Sequence, residues 1–244
     1  DILSKGRLHF GVGKGGTQQE AGTFGYNLEE LQPMIDESMY LIPKIMVQDE
    51  IEHDGTYVKI PKRPIHPSPY QDPHPPLYMA CTRADALTTA GASGIGALVL
   101  GFAGPDDIAS KNAIYRAAWA NRKAEDQVGF RPTEHLAALC PALVLDDREK
   151  ARRIGLRGQR FFVESLGYWY QGGPKPTVED LSGDEQAAIL QQEKAAVVAY
   201  LSEEKITIGS EHTGAYEEVQ DAYGTAEDCI RYVQRLFDAG ADEI

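Results

Sequence analysis

The chain has 244 residues, 42% of them hydrophobic and 25% charged, with a net charge of −13. An acidic surface repels phosphate backbones, which excludes nucleic acid as the expected partner, and no apolar run approaches the ~18 residues of a membrane span. Cys81, Cys140 and Cys229 are too few and too far apart for a disulfide framework or a zinc site. We therefore expect a cytoplasmic protein without a metal.

Apolar, β-rich runs alternate with amphipathic stretches along the chain. After the first run, Asn27 is placed to cap a long helix, and prolines between His53 and Tyr78 forbid a regular helix and predict an extended excursion. The expected strands are Arg7–Val12, Leu77–Cys81, Ile95–Leu100 and Leu136–Leu145. The expected helices after the excursion are Ala84–Ser93, Pro105–Arg122, Asp146–Leu166 and Asp184–Glu203.

The C-terminal third carries a long loop and a last helix. Gly167–Gly183 is rich in Gly and Pro and predicts a loop that holds Tyr168, Trp169 and Tyr170. Thr225 and Asp228 predict a capping box. The core face of the last helix is expected to consist of Ile230, Val233 and Phe237, and the final residues resemble the entry into another strand.

The alternation of strands and helices predicts an α/β protein with a parallel sheet. A sequential barrel and a doubly wound sheet both fit this order, so periodicity alone does not choose between them. There are no internal repeats and no low-complexity tracts.

Several short motifs occur together in the order typical of one protein family. Leu3–Gly15 reads LSKGRLHFGVGKG, and Pro67–Ala80 reads PSPYQDPHPPLYMA. Near the C-terminus, Gly224–Asp228 reads GTAED and Ala239–Glu243 reads AGADE. This collinear set resembles the luciferase-like flavin-dependent monooxygenases over nearly the whole chain, although no single motif is diagnostic.

The resemblance implies a partial (β/α)8 TIM barrel, with strands 4 to 7 visible and a long insertion after strand 7. We expect residues 1–244 to form a single barrel domain that is truncated at both ends, because the chain opens at Asp1 without Met and stops where a strand would begin. An incomplete barrel has open strand edges, so we expect this stretch to bind FMN poorly or to misfold by itself.

The same resemblance implies an enzyme. Reduced FMN would take up O₂ to form a C4a-peroxide that oxidises a small organic substrate, aldehyde-like or xenobiotic, while a separate flavin reductase supplies the FMN and the protein forms a dimer. Two alternatives remain open. One is a deazaflavin-dependent oxidoreductase on the same barrel, and the other is a non-catalytic partner subunit of a luciferase-like heterodimer.

The resemblance also places cofactor-binding residues at two positions. Gly11 and Gly13 lack side chains, so a flat flavin ring could approach the backbone, and Lys14 could meet the flavin phosphate. The turn Cys81-Thr82-Arg83 matches the phosphate-binding turn that precedes a helix, where free N–H groups favour anions. Arg83 stands where the family commonly has Ser. The alternatives are a solvated Lys14, a packed Cys81 and a surface Arg83.

The substrate side of the site is less specific. Tyr168 and Trp169 resemble residues of a loop that closes over substrate, or they pack at the foot of that loop. His9 points either into the barrel or against a helix. The His credited with proton transfer in luciferases lies on strands that precede this chain, so the catalytic residue is unknown.

Overall fold

The computed structural model describes residues 1–102, 104–177, 182, 185, 188 and 222–244. Its strands are β1 Phe10–Val12, β2 Glu50–Asp54, β3 Lys59–Pro64, β4 Leu77–Ala80, β5 Gly96–Leu100, β6 Leu136–Leu139, β7 Leu143–Val144 and β8 Tyr223–Gly224. Its helices are α1 Gln18–Thr23, α2 Leu28–Val47, α3 Ala84–Ala92, α4 Pro105–Ala120, α5 Arg148–Gln171 and α6 Ala226–Asp238, with a 3₁₀ turn at Ala124–Asp126.

The central sheet has four strands in the order β1-β4-β5-β6. β1 and β4 pair in parallel, with Gly11 opposite Tyr78. The prediction of an α/β fold with a parallel sheet is therefore confirmed. The fourth predicted strand is divided, because Pro141 lies between β6 and β7 and has no N–H for a strand ladder. Closure into a barrel stays a prediction.

The chain divides into two compact units. The first consists of Asp1–Ala80, Thr88–Ala97 and Tyr115–His135, and the second of Cys81–Leu87, Leu98–Ile114 and Leu136–Ile244. The expected single domain over residues 1–244 stays a prediction.

The buried Tyr115 hydroxyl organises the first unit. It lies 3.1 Å from the carbonyl oxygen of Ile95 and accepts the backbone N–H of His135 at 3.1 Å. Close to it, Gly91 of α3 meets α4 so tightly that a Cβ there would lie 2.6 Å from the carbonyl oxygen of Tyr115. This close approach fixes α3 against α4.

The segment expected to be one extended excursion contains an antiparallel hairpin formed by β2 and β3. The Glu37 carboxylate of α2 accepts the backbone N–H groups of Thr56, Tyr57 and Val58 and lies 3.0 Å from His53 Nε2. The Tyr57 N–H is the largest cause that lowers the pKa of Glu37 to about 2, although partial burial opposes it. Sequence periodicity missed the hairpin because prolines interrupt β3.

Helix α5 extends five residues beyond the predicted end, through Gly167 to Gln171, so the expectation of a loop from residue 167 is wrong. A glycine inside a helix weakens it but does not end it. The helix ends where Gly172 adopts the left-handed conformation, with φ of 66°. The predicted helix Asp184–Glu203 lies almost entirely outside the described residues.

The predicted core face of the last helix is also wrong. Ile230 is 68% exposed and Phe237 is 41% exposed, whereas Tyr232 and Leu236 are fully buried. The predicted capping box between Thr225 and Asp228 is confirmed. Asp228 is buried, and Tyr232 and Leu236 follow it at i+4 and i+8 on the same helix face. These two residues therefore point into the core. Spacing alone could not distinguish two apolar faces offset by one residue.

Candidate functional site

In the first unit, three small, exposed residues lie at the C-terminal ends of β1 and β4. Gly11, Gly13 and Ala80 are exposed, and a Cβ on Gly13 would lie 3.6 Å from the Ala80 Cβ, an ordinary contact distance. Side chains of a strand alternate between faces, so Gly11 and Gly13 share a face. Lys14 follows directly and is exposed. A planar ring could lie against the backbone at Gly11 and Gly13, where no side chain projects.

His9 lies on the same face as Gly11. Its ring stacks on the buried Tyr78, with centroids 5.5 Å apart and planes 6° from parallel. Tyr78 is opposite Gly11 in the register of the two strands, so the two side-chain positions share a face. His9 thus lies on the glycine face of the sheet, and whether this face is the interior of a barrel stays a prediction.

In the second unit, the Cys81 side chain is packed in the interior. The side chain is fully buried, and its thiol faces the carbonyl oxygen of Ala86 at 3.6 Å. The backbone N–H is bonded to the carbonyl oxygen of Leu98. Burial raises the pKa of the Cys81 thiol to about 12, so it is neutral and unreactive at neutral pH. A cofactor contact by Cys81 stays a prediction.

Arg83 is held by an acidic neighbour that sequence reasoning did not single out. Its Nε and Nη2 donate to the two carboxylate oxygens of Asp85 at 3.0 and 2.9 Å. The Asp85 Oδ1 also accepts the backbone N–H of Ala86 at 2.8 Å. Thr82 is exposed beside them. Arginine has five N–H donors, so the guanidinium keeps donors in addition to those that face Asp85.

Aromatic side chains gather at the C-terminal part of α5. Tyr168 and Trp169 meet edge to face, with ring centroids 5.0 Å apart, and Trp169 is 48% exposed. Both predicted substrate residues lie on the last turns of α5, so their expected position in a loop is wrong. Their contact with substrate stays a prediction.

Two more aromatic residues of the second unit were missed. Phe102, just after β5, meets Phe162 of α5 edge to face, with centroids 5.2 Å apart. Lys111 forms a buried ion pair with Asp107, and its Nζ also donates to the carbonyl oxygen of Leu100 at 2.7 Å. These contacts hold the end of β5, two residues before Phe102. The signal available in the sequence was the adjacent pair Phe161-Phe162 in a helix that begins with many charged residues.

The described part of the chain contains no group of three or more His, Cys, Asp or Glu that could hold a metal ion. Among the same residues, no helix is long and apolar enough to cross a membrane.

Comparison with known proteins gives one family. The sequence model of the luciferase-like monooxygenases matches residues 1–243. Over 89 residues the chain is 32% identical to the oxygenase component of a flavin-dependent trigonelline monooxygenase from Acinetobacter baylyi. The aligned segment covers 33% of this chain and 22% of that protein. The aligned segment thus spans about a fifth of that relative.

Solved structures share the fold at low identity. The oxygenating constituent of 3,6-diketocamphane monooxygenase from Pseudomonas putida, in complex with FMN, has a TM-score of 0.59 and 16% identity, over 98% of this chain and 63% of that one. An F420-dependent secondary alcohol dehydrogenase has a TM-score of 0.61 and 16% identity, and the match covers 99% of this chain and 64% of that one. The chain therefore spans less than two thirds of these neighbours.

Proposed function

The chain belongs to the luciferase-like monooxygenase family, and we propose that it is an FMN-dependent monooxygenase that oxidises a small organic substrate with O₂. The observation that carries this proposal is the family match over residues 1–243. In the overall reaction one oxygen atom enters the substrate, the other leaves as water, and reduced FMN supplies the electrons. A separate flavin reductase would regenerate that FMN.

Each unit by itself contains residues that could contact a flavin. In the first unit, Gly11 and Gly13 present backbone without side chains, which suits a flat ring, and Lys14 adds a cation next to them. In the second unit, Thr82 and Arg83 precede α3, where a hydroxyl and a guanidinium suit a phosphate. Bound reduced FMN would supply the chemistry that activates O₂.

Aromatic side chains of the second unit suit an apolar substrate. Phe102, Phe162 and Trp169 expose ring surface, and active sites of parallel α/β folds lie at the C-terminal ends of the strands, where Phe102 is found. Such walls bind by excluding water from apolar surface. We propose an aldehyde-like or xenobiotic substrate with an aliphatic or aromatic portion.

A second candidate is a deazaflavin-dependent oxidoreductase, which would transfer hydride and leave O₂ unused. The structural similarity to an F420-dependent dehydrogenase favours keeping it. The two candidates differ in a direct measurement. The purified protein is mixed with reduced FMN and a panel of alkanals in an oxygen electrode, and with F420 and secondary alcohols in a spectrophotometer. Substrate-dependent O₂ uptake supports the monooxygenase, and F420 reduction without O₂ uptake supports the alternative.

A further inference from the structure

The first turn of α3 already contains an anion. Asp85 places one carboxylate oxygen on Arg83 Nη2 and the other on both Arg83 Nε and the Ala86 N–H. These are the two kinds of donor, a guanidinium fork and an amide of the first helical turn, that bind phosphates in proteins. The Asp85 side chain is 66% exposed, so nothing buries the carboxylate away from an arriving ligand.

Asp85 is ionised under ordinary conditions. Partial burial of the carboxyl raises its pKa, but the bonds from Arg83 and Ala86 outweigh that effect and leave the pKa below its usual value. The pair with Arg83 therefore has no net charge at neutral pH, and the positive charge that would attract a phosphate is already compensated.

We propose that Asp85 competes within the chain for the phosphate of the flavin and thereby sets how loosely that cofactor is held. This inference rests on the proposed function, because it takes the Thr82–Arg83 turn as the phosphate site. When FMN binds, Arg83 must share its donors between the phosphate and Asp85. A compensated arginine suits a reduced flavin that arrives from another protein and leaves after each turnover.

The proposal is tested by comparing FMN with riboflavin, which has the same ring and no phosphate. The Kd of each oxidised flavin is measured by fluorescence quenching for the wild type and for Asp85→Asn, which keeps the shape but removes the charge. We expect Asp85→Asn to bind FMN about tenfold more tightly, because Arg83 can then direct its fork to the phosphate. Riboflavin affinity stays unchanged. Asp85→Ser, whose hydroxyl can still cap the Ala86 N–H, should show the same shift.

Two control variants separate this effect from general ones. Glu227→Gln removes one negative charge from the exposed first turn of α6 and should leave both affinities unchanged. Arg83→Ala should abolish the preference for FMN over riboflavin.

Unchanged or weaker FMN binding by both Asp85 variants would overturn the inference while the phosphate site stands. A wild type that does not distinguish FMN from riboflavin would overturn the phosphate site itself, and with it the inference. If neither flavin binds but F420 does, the proposed function fails as well.

Discussion

Two glycines of α5, three residues apart, test how this helix packs in the second unit. A Cβ added at Gly155 would lie 2.4 Å from Cγ and Cδ1 of Tyr223, whereas within the described residues a Cβ at Gly158 meets nothing closer than 4 Å. Tyr223 is 4% exposed, and its hydroxyl donates to the Gln159 side chain at 3.1 Å. Packing and this hydrogen bond therefore hold the ring in place.

The expected energies follow from this geometry. Replacing Gly by Ala in a helix stabilises by about 1 kcal/mol, and Gly158→Ala should realise that gain. Gly155→Ala receives the same gain, but overpacking against the ring costs roughly 1–3 kcal/mol. The free energies of unfolding of the two variants should therefore differ by about the overpacking cost, with Gly155→Ala the less stable.

Urea denaturation followed by circular dichroism measures both variants and the wild type under identical conditions. The backbone and the substitution are the same at both positions, so the pair isolates the contact with Tyr223. Equal stabilisation by the two substitutions would refute the packing of α5 against β8 described above.

Three further predictions address other parts of the chain. His74→Ala should lower the free energy of unfolding by about 1–3 kcal/mol, because the buried ring bonds backbone groups through both nitrogens, whereas the exposed His66→Ala should change little in the same urea titration. Glu37→Gln should destabilise at neutral pH. The pKa of Glu37 is lowered in the folded state, so its stabilisation is fully present above the ordinary pKa of 4.5 and is lost as the pH falls through about 2. The urea midpoints of the variant and the wild type should therefore converge as the pH falls over that range. Phe162→Ala should raise the KM for dodecanal about tenfold, and that for hexanal less, with the Kd for FMN unchanged; equal effects on both aldehydes would contradict an apolar wall.

The sequence was sufficient for the parallel sheet, because apolar runs such as Leu77–Ala80 alternate with amphipathic helical stretches. It was insufficient for the end of α5. Gly167 begins a stretch rich in Gly and Pro, which predicted the helix end there, but the helix ends at Gly172, the residue that adopts the left-handed conformation. Backbone conformation is set by what the chain packs against next, and composition does not report it.

The candidate site, too, could be predicted from the sequence only in part. Motif order placed Arg83 at a phosphate-binding turn, but the pairing with Asp85 depends on side-chain geometry within a tight turn and left no periodic signal. Likewise Phe162 was missed, because its contact with Phe102 joins positions sixty residues apart in the chain.

The most direct test of the central claim follows the oxygen atoms. The protein is supplied with reduced FMN, isotopically labelled O₂ and decanal, and the products are analysed by mass spectrometry. The proposed monooxygenase predicts one labelled oxygen atom in the oxidised product and uptake of O₂ that depends on the aldehyde. Oxidation of substrate with no label incorporated, accompanied by reduction of a deazaflavin, would contradict it.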